Sequence, residues 1–184
     1  RQGQTIVQSL PETQSKNFES AAIPGCPILI TTPSKACFLS QEDGALETVP
    51  LTQASRLVMG PDIIVLHAGY VSEKLNLRHR PRFDLLELFA FLCPGQAITP
   101  TVSGLAIACG LSPSDDPEDQ AMLVIEIMDS LFSRLSQEKK DQFLPLLNFM
   151  NGQNNGWAWA PYLIRSMGAH PTGYSLSDIT DWKE

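Results

Sequence analysis

Short apolar runs separated by turn residues predict strands in the first part of the chain. Residues 27–31 and 36–40 are β-type runs joined by a four-residue turn, and residues 46–49 follow the turn residues Glu42-Asp43-Gly44. Runs of this length and spacing are typical of neighbouring antiparallel strands. The sequence therefore predicts an antiparallel hairpin or meander.

A further strand is predicted over residues 63–66, where β-branched and aliphatic side chains follow one another without interruption. A continuous run of this kind is typical of a strand that helices cover on both faces. Before it, Thr52 is expected to cap a short helix that ends at Gly60-Pro61.

Capping residues in front of apolar runs predict two helices after that strand. Asp84 and Glu87 have the spacing of a capping box for a helix over residues 85–92. Thr101 precedes a second helix over residues 102–109. Both helices are expected to cover the sheet.

A longer helix is predicted from Asp116-Pro117 to about Leu135, since proline is tolerated in the first turn of a helix. Apolar residues spaced three to four apart indicate its buried face. This face is predicted to contain Met122, Ile125, Met128, Leu131 and Leu135.

The C-terminal part predicts a helical extension. A charged turn, residues 137–141, precedes apolar surface around Pro145, and a loop over residues 151–156 precedes a last apolar segment, residues 157–164. The whole succession predicts an α/β fold, in which helices flank a mixed sheet.

The composition is that of one globular domain. Of 184 residues, 43% are hydrophobic and 18% are charged, which is enough for a single buried core. Residues 1–25 are mostly polar and are expected to form an extension. The chain begins at Arg1, and no apolar run reaches the roughly 20 residues of a membrane span. We therefore expect a domain of a larger protein that does not contact a membrane.

Charge and cysteine usage limit the partners and the compartment. The formal net charge is −7, which disfavours broad attraction to nucleic acid, so any such contact must be local. The cysteines are scattered and form no C-x-x-C pair, so we expect reduced thiols, as in a cytoplasmic protein. They are Cys26, Cys37, Cys93 and Cys109.

The sequence lacks the usual motifs of nucleotide chemistry. It contains no G-x-x-x-x-G-K-[ST] loop, no G-x-G-x-x-G and no G-x-S-x-G. The chain is therefore not expected to hydrolyse ATP by itself.

Two places carry side chains that catalysis could use. His67 follows the strand predicted at residues 63–66, where active sites of α/β folds often lie. A histidine hydrogen-bonded to the backbone is the favoured interpretation, because no nearby side chain completes a dyad. An acidic cluster at the start of the long helix could bind Mg²⁺, although acids there also stabilise the helix dipole, which we favour. It consists of Asp115, Asp116, Glu118 and Asp119.

One compact basic segment, residues 78–82, lies in this acidic chain. Its Arg78, Arg80 and Arg82 could hold a phosphate group or an acidic partner, although a solvated loop is favoured. Aromatic residues further on could stack on single-stranded bases, but no basic stripe accompanies them, so packing or domain docking is favoured. They are Trp157, Trp159, Tyr162 and Trp182.

Several short motifs, in order, resemble the middle and later part of a DEDD-type 3′–5′ exonuclease domain. They are residues 65–72, residues 83–88 with Pro94-Gly95, and residues 101–106 with Gly110-Leu111. In that family a strand leads to H-N-A-x-F-D, a helix opens with a D-T-L-type segment, and an S-L-x-x-L-A-type helix precedes the last metal-binding Asp. The resemblance implies an RNase H-like fold.

Residues 82–91, 157–161 and 181–184 resemble the N-terminal region of bacterial DinG-like ATP-dependent DNA helicases. This resemblance covers about residues 26–184 and implies a role in DNA repair. It also implies that C-terminal helicase domains, which bind ATP and Mg²⁺, follow this region and that DNA is bound through the parent protein. The implied division is a polar extension (1–25), an exonuclease-like α/β domain (26–135) and a helical extension (136–184).

The exonuclease motifs are degenerate in this chain. Residues 28–33 lack the D-x-E of the first motif, and in the second motif His67 is kept while Ser72 stands for the metal-binding Asp. The third motif offers Asp119 at best, and Ser114 stands for a general-base histidine. Since a two-metal site needs several carboxylates, we predict no metal site in this fragment. The weak catalytic candidates are His67, Asp84 and Asp119.

The sequence thus predicts a non-catalytic, exonuclease-like accessory domain of a DNA helicase, acting in DNA positioning, motor-domain docking or partner recruitment. Two alternatives stay open: a stand-alone protein-interaction domain, and an active metal-dependent 3′–5′ exonuclease with a rearranged acidic site. The second alternative requires at least three converging carboxylates. Its candidates are Asp62, Glu73, Asp84, Asp116 and Asp119.

Overall fold

The computed structural model describes residues 23–135, 140–152 and 156–172. Within them five strands form one sheet, and a 3-10 helix (Leu51–Leu57) precedes the fourth strand. The strands are β1 (Ile28–Thr31), β2 (Lys35–Leu39), β3 (Leu46–Pro50), β4 (Ile64–Val65) and β5 (Phe83–Asp84). The α-helices are α1 (Ala68–Leu75), α2 (Leu85–Leu92), α3 (Val102–Ala108), α4 (Pro117–Phe132), α5 (Lys140–Met150) and α6 (Ala160–Ser166).

The sheet has the strand order β3-β2-β1-β4-β5. β1, β2 and β3 form the predicted antiparallel meander, and β4 and β5 run parallel to β1 on its other side. This mixed order is that of an RNase H-like α/β fold. The predicted fold class is therefore confirmed.

Successive residues of the central strands point to opposite faces of the sheet, and each face has its own core. Ile28 and Ile64 belong to the larger core, which α2, α3 and α4 cover, whereas Leu29 and Val65 belong to a smaller core under α1 and the 3-10 helix. The prediction that residues 63–66 are covered on both faces is thus confirmed.

The C-terminal helices pack into the larger core. Leu147 of α5 and Leu163 of α6 are fully buried there, as is Trp159 just before α6. The indole ring of Trp159 packs edge-on against Phe83 at 5.1 Å and against Phe132 at 6.3 Å. The extension therefore shares its core with the sheet.

Three predicted helix starts are confirmed by side-chain caps. The side chain of Asp84 accepts backbone N–H bonds at the start of α2, Thr101 does so at the start of α3, and Asp116 at the start of α4. Each satisfies amide groups that have no partner inside the helix.

Other local predictions are wrong for identifiable reasons. Thr52 does not cap the short helix, which begins one residue earlier, after Pro50, and has no side-chain cap. Met122 is 49% exposed because the buried face of α4 is centred on Val124, Ile127 and Leu131 instead. α5 already begins within the charged turn predicted at residues 137–141 and carries Pro145 inside it.

None of the helices in the described ranges combines the length and the apolarity needed to cross a membrane.

Candidate functional site

A cleft of about 630 Å³ opens at the carboxyl ends of β1 and β4. The chain leaves β1 towards the meander and leaves β4 towards α1, so the two connections diverge and a crevice forms between them, as is usual where strand order reverses. The beginnings of α1, α2, α3 and α4 contribute residues to or near its walls. Its polar lining residues are Thr31, Thr32, His67, Tyr70, Thr101 and Gln120.

The polar groups of this cleft are hydroxyl, imidazole and amide groups. Among the residues that the structure describes, its lining contains neither Asp nor Glu, and the remaining lining residues are apolar. Mg²⁺ is held in proteins mainly by carboxylate oxygens. The lining is therefore a poor ligand set for a pair of catalytic cations.

His67 is the N-cap of α1. Its Nδ1 accepts a hydrogen bond from the backbone N–H of Tyr70 at 3.1 Å. A ring nitrogen that accepts a hydrogen bond carries no proton, so the ring proton lies on Nε2. The interpretation of His67 as a histidine bonded to the backbone is confirmed, and its Nε2–H is left as a donor at the cleft.

A lysine that the sequence analysis missed lies beside the cleft. The Nζ of Lys74 donates to the carbonyl oxygen of Thr32 at 3.1 Å and to the Tyr70 hydroxyl at 2.9 Å. It also lies 5.0 Å from the centre of the Tyr70 ring, within the range of a cation–π contact. A positive charge thus lies next to the carboxyl end of β1.

The carboxylate of Asp84 is occupied by backbone donors. It is 2% exposed and accepts N–H bonds from Ala68 at 2.7 Å, from Leu86 at 3.0 Å and from Glu87 at 3.3 Å. These donors belong to the first turns of α1 and α2. Asp84 therefore joins two helix starts, which is a structural role, and its own carbonyl oxygen accepts the indole N–H of Trp159 at 3.0 Å.

The acidic cluster at the start of α4 is also engaged locally. Asp116 accepts from the backbone N–H groups of Glu118 and Asp119, at 2.9 and 3.2 Å. Asp119 accepts from the Ser114 hydroxyl at 3.1 Å, and Glu118 from the Thr48 hydroxyl at 3.1 Å. These bonds agree with the favoured interpretation of the cluster as a helix start.

The rearranged acidic site is not assembled in the described part of the chain. There, no group of three or more His, Cys, Asp or Glu side chains is placed to hold a metal ion. Asp62, one of its candidates, instead forms an ion pair with Arg82 at 3.0 Å. The convergence that this alternative requires is therefore missing among these residues.

In the basic segment, residues 78–82, two of the three arginines form ion pairs with described residues. Arg78, Arg80 and Arg82 are all exposed. Arg80 pairs with Glu87 at 3.4 Å and Arg82 pairs with Asp62 at 3.0 Å. Arg78 forms no ion pair with any residue in the described ranges and lines a small pocket with His79.

The aromatic docking candidates have different environments. Trp159 is fully buried, so it packs the core and is not available at the surface, which corrects its assignment to docking. Trp157 is half-buried and lies 4.8 Å from the ring of Phe91. Trp182 lies outside the described residues.

All four cysteines carry free thiols in the structure. Burial, with a smaller contribution from the negative charge of Asp62, raises the pKa of the Cys26 thiol to about 12. Burial also raises the pKa of Cys37. The Sγ of Cys93 accepts a hydrogen bond from the guanidinium of Arg134 at 2.8 Å.

No protein-family model, curated protein or solved structure matches this chain.

Proposed function

We propose that this chain is a non-catalytic, exonuclease-like accessory domain of an ATP-dependent DNA helicase and that it helps to position DNA. The observation that best supports the non-catalytic part of this proposal is the cleft of the RNase H-like sheet. The cleft lies where strand order reverses, yet its lining contains neither Asp nor Glu among the described residues. A crevice whose described lining offers no carboxylate to Mg²⁺ is suited to binding rather than to metal-dependent hydrolysis.

The engagement of the nearby carboxylates supports the same view. Asp84 uses its oxygens for three backbone N–H groups, and Asp119 accepts from Ser114. If the Asp84 carboxylate left these donors to bind a metal, backbone amides at the starts of α1 and α2 would lose a partner, which costs about 1–3 kcal/mol for each buried amide. These bonds weigh against the rearranged nuclease.

Among the three accessory roles, DNA positioning is favoured over docking. The tryptophans predicted to form a docking surface lose one member, because Trp159 is buried. By contrast, Arg78, Arg80 and Arg82 are exposed, as a contact with a DNA backbone requires. We assign the DNA contact to Arg78, the arginine of this basic segment that forms no ion pair with any of the described residues.

The helicase assignment depends on the resemblance of residues 26–184 to DinG-like proteins. ATP and Mg²⁺ would be bound by C-terminal helicase domains, and these domains would be the partner of this one. Fold alone does not imply function, so this part of the proposal needs a test of its own.

The test has two steps. The reading frame should continue beyond Glu184 into a region with a G-x-x-x-x-G-K-[ST] loop, and a stop codon close to Glu184 would instead favour a stand-alone interaction domain. In the full protein, deletion of residues 1–184 should weaken binding to single-stranded DNA and leave the ATPase rate at saturating DNA nearly unchanged. If binding is unaffected, the domain does not position DNA.

A further inference from the structure

A small pocket of about 340 Å³ lies at the opposite edge of the sheet from the cleft. α1 begins at the carboxyl end of β4 and runs back, so its last residue, Leu75, and the loop after it lie near the amino ends of the parallel strands. The loop between the 3-10 helix and β4 closes the other side. The polar lining residues are Ser55, Asn76, Arg78 and His79.

The ion pairs single out Arg78 within the basic segment. The guanidinium groups of Arg80 and Arg82 are each partly neutralised, by Glu87 at 3.4 Å and by Asp62 at 3.0 Å. Arg78 has no such partner among the residues that the structure describes, and it faces a concave surface. Its charge is therefore available to a ligand.

The other polar groups of the pocket can all donate hydrogen bonds. They are a hydroxyl, an amide and an imidazole, and within the described residues the lining contains no carboxylate that would repel an anion. A guanidinium with further hydrogen-bond donors around it suits a phosphate oxygen atom, because charge-assisted hydrogen bonds are short and strong.

The negative end of the α1 dipole also lies nearby, and it opposes an anion. Two of its terminal carbonyls are satisfied: the N–H of Asn76 donates to Glu73 at 3.2 Å and that of Leu77 to Ser72 at 3.0 Å. These carbonyls do not compete for the donors of the pocket. The positive charge of Arg78 acts against the remaining dipole field.

We propose that this pocket binds one phosphate group, with Arg78 as its main ligand and with Ser55, Asn76 and His79 as further donors. The pocket itself rests on the geometry alone, whereas the source of the phosphate, a DNA backbone, rests on the function proposed above. Free phosphate shares the same chemistry and is the second probe of the test.

Arg82 gives a matched control for Arg78. Both are exposed arginines of one segment, and each replacement by alanine removes one positive charge. A general effect of net charge would change DNA binding equally in the two variants. A phosphate site at Arg78 would weaken DNA binding only in Arg78→Ala.

The first measurement is the affinity of the 184-residue chain for a fluorescent single-stranded oligonucleotide at several salt concentrations. Arg78→Ala should weaken binding about 10-fold and lower the slope of log K against log salt by about 0.7, the value for one phosphate contact to a single strand. Arg82→Ala should change the affinity less than about 2-fold. Equal losses of DNA affinity in both variants, or no loss in Arg78→Ala, would overturn the assignment of a DNA phosphate to Arg78.

The second measurement is an NMR titration with inorganic phosphate, with chloride at matched ionic strength as control. Amide shifts near Asn76 and Ser55 should saturate with phosphate in the wild type and in Arg82→Ala, and should disappear in Arg78→Ala. Saturable phosphate binding without DNA binding would keep the pocket and reject DNA positioning. DNA binding that is insensitive to Arg78, without phosphate shifts, would keep DNA positioning and reject the pocket.

Discussion

Replacement of Asp84 by alanine should strongly destabilise the fold. The carboxylate accepts N–H bonds from the first turns of both α1 and α2 and is 2% exposed. Alanine would leave the N–H groups of Ala68 and Glu87 without this acceptor, whereas Leu86 also donates to the carbonyl oxygen of Leu66 at 3.1 Å. Because water has little access to the site, the lost bonds would not be replaced.

The expected loss in the free energy of unfolding follows from the backbone groups that lose their acceptor. Loss of a capping side chain costs about 0.5–2 kcal/mol for one helix, and a buried amide left unpaired costs about 1–3 kcal/mol. For the cap of α2 and the buried Ala68 donor of α1 together we expect a loss of about 2–5 kcal/mol, a large part of the 5–15 kcal/mol that is typical of a domain. Asp84→Asn keeps one acceptor oxygen and should lose about half as much.

Urea denaturation of the wild type and the variants, followed by circular dichroism, measures these losses. Asp116→Ala is the control, because Asp116 caps only α4 and is exposed, so it should cost about 1 kcal/mol. The structural role of Asp84 would be refuted if Asp84→Ala cost no more than this control, or if it raised the stability, as removal of a strained catalytic group can do.

Three further outcomes follow from local geometry. Gly104→Ala should lower the free energy of unfolding by about 1–3 kcal/mol, because the added Cβ would clash with the carbonyl oxygen of Thr99. An unchanged urea midpoint would show that the loop at Thr99 can move away without loss of stability. Since the pKa of Cys26 is raised to about 12, its thiolate is scarcer in the folded state, and alkylation at pH 8 should be at least about 100-fold slower than in urea; equal rates would contradict its burial. Trp159→Phe should cost about 1–3 kcal/mol, since it removes the bond to the Asp84 carbonyl and core volume; a neutral effect in the same denaturation assay would mean that this bond contributes little.

The sheet and the helix caps could be predicted because their signals are local. The runs at residues 27–31, 36–40 and 46–49 correspond to β1, β2 and β3, and Asp84, like the other predicted caps of α2 to α4, accepts the expected amides. α1 was missed because the residues at its start, Gly69-Tyr70-Val71-Ser72, favour helix only weakly. Its cap is a histidine, which is not among the usual capping residues.

The cleft and the small pocket could not be predicted because they depend on contacts between distant segments. Lys74 donates to the carbonyl oxygen of Thr32, 42 positions earlier. The small pocket brings together Ser55, from the 3-10 helix, and Arg78, from the loop after α1. Likewise, the pairing of Arg82 with Asp62 depends on the parallel arrangement of β4 and β5. The basic segment was visible in the sequence, but its division into paired and unpaired arginines was not.

The central claim is that this domain holds DNA without degrading it, and one assay tests both parts. The purified chain is incubated with a labelled single-stranded oligonucleotide in Mg²⁺ or Mn²⁺, and the same samples are read by anisotropy and on a denaturing gel. The account predicts an anisotropy rise with no loss of oligonucleotide length. Metal-dependent shortening that disappears in a folded Asp119→Ala variant would contradict it, since a carboxylate would then serve a catalytic metal after all.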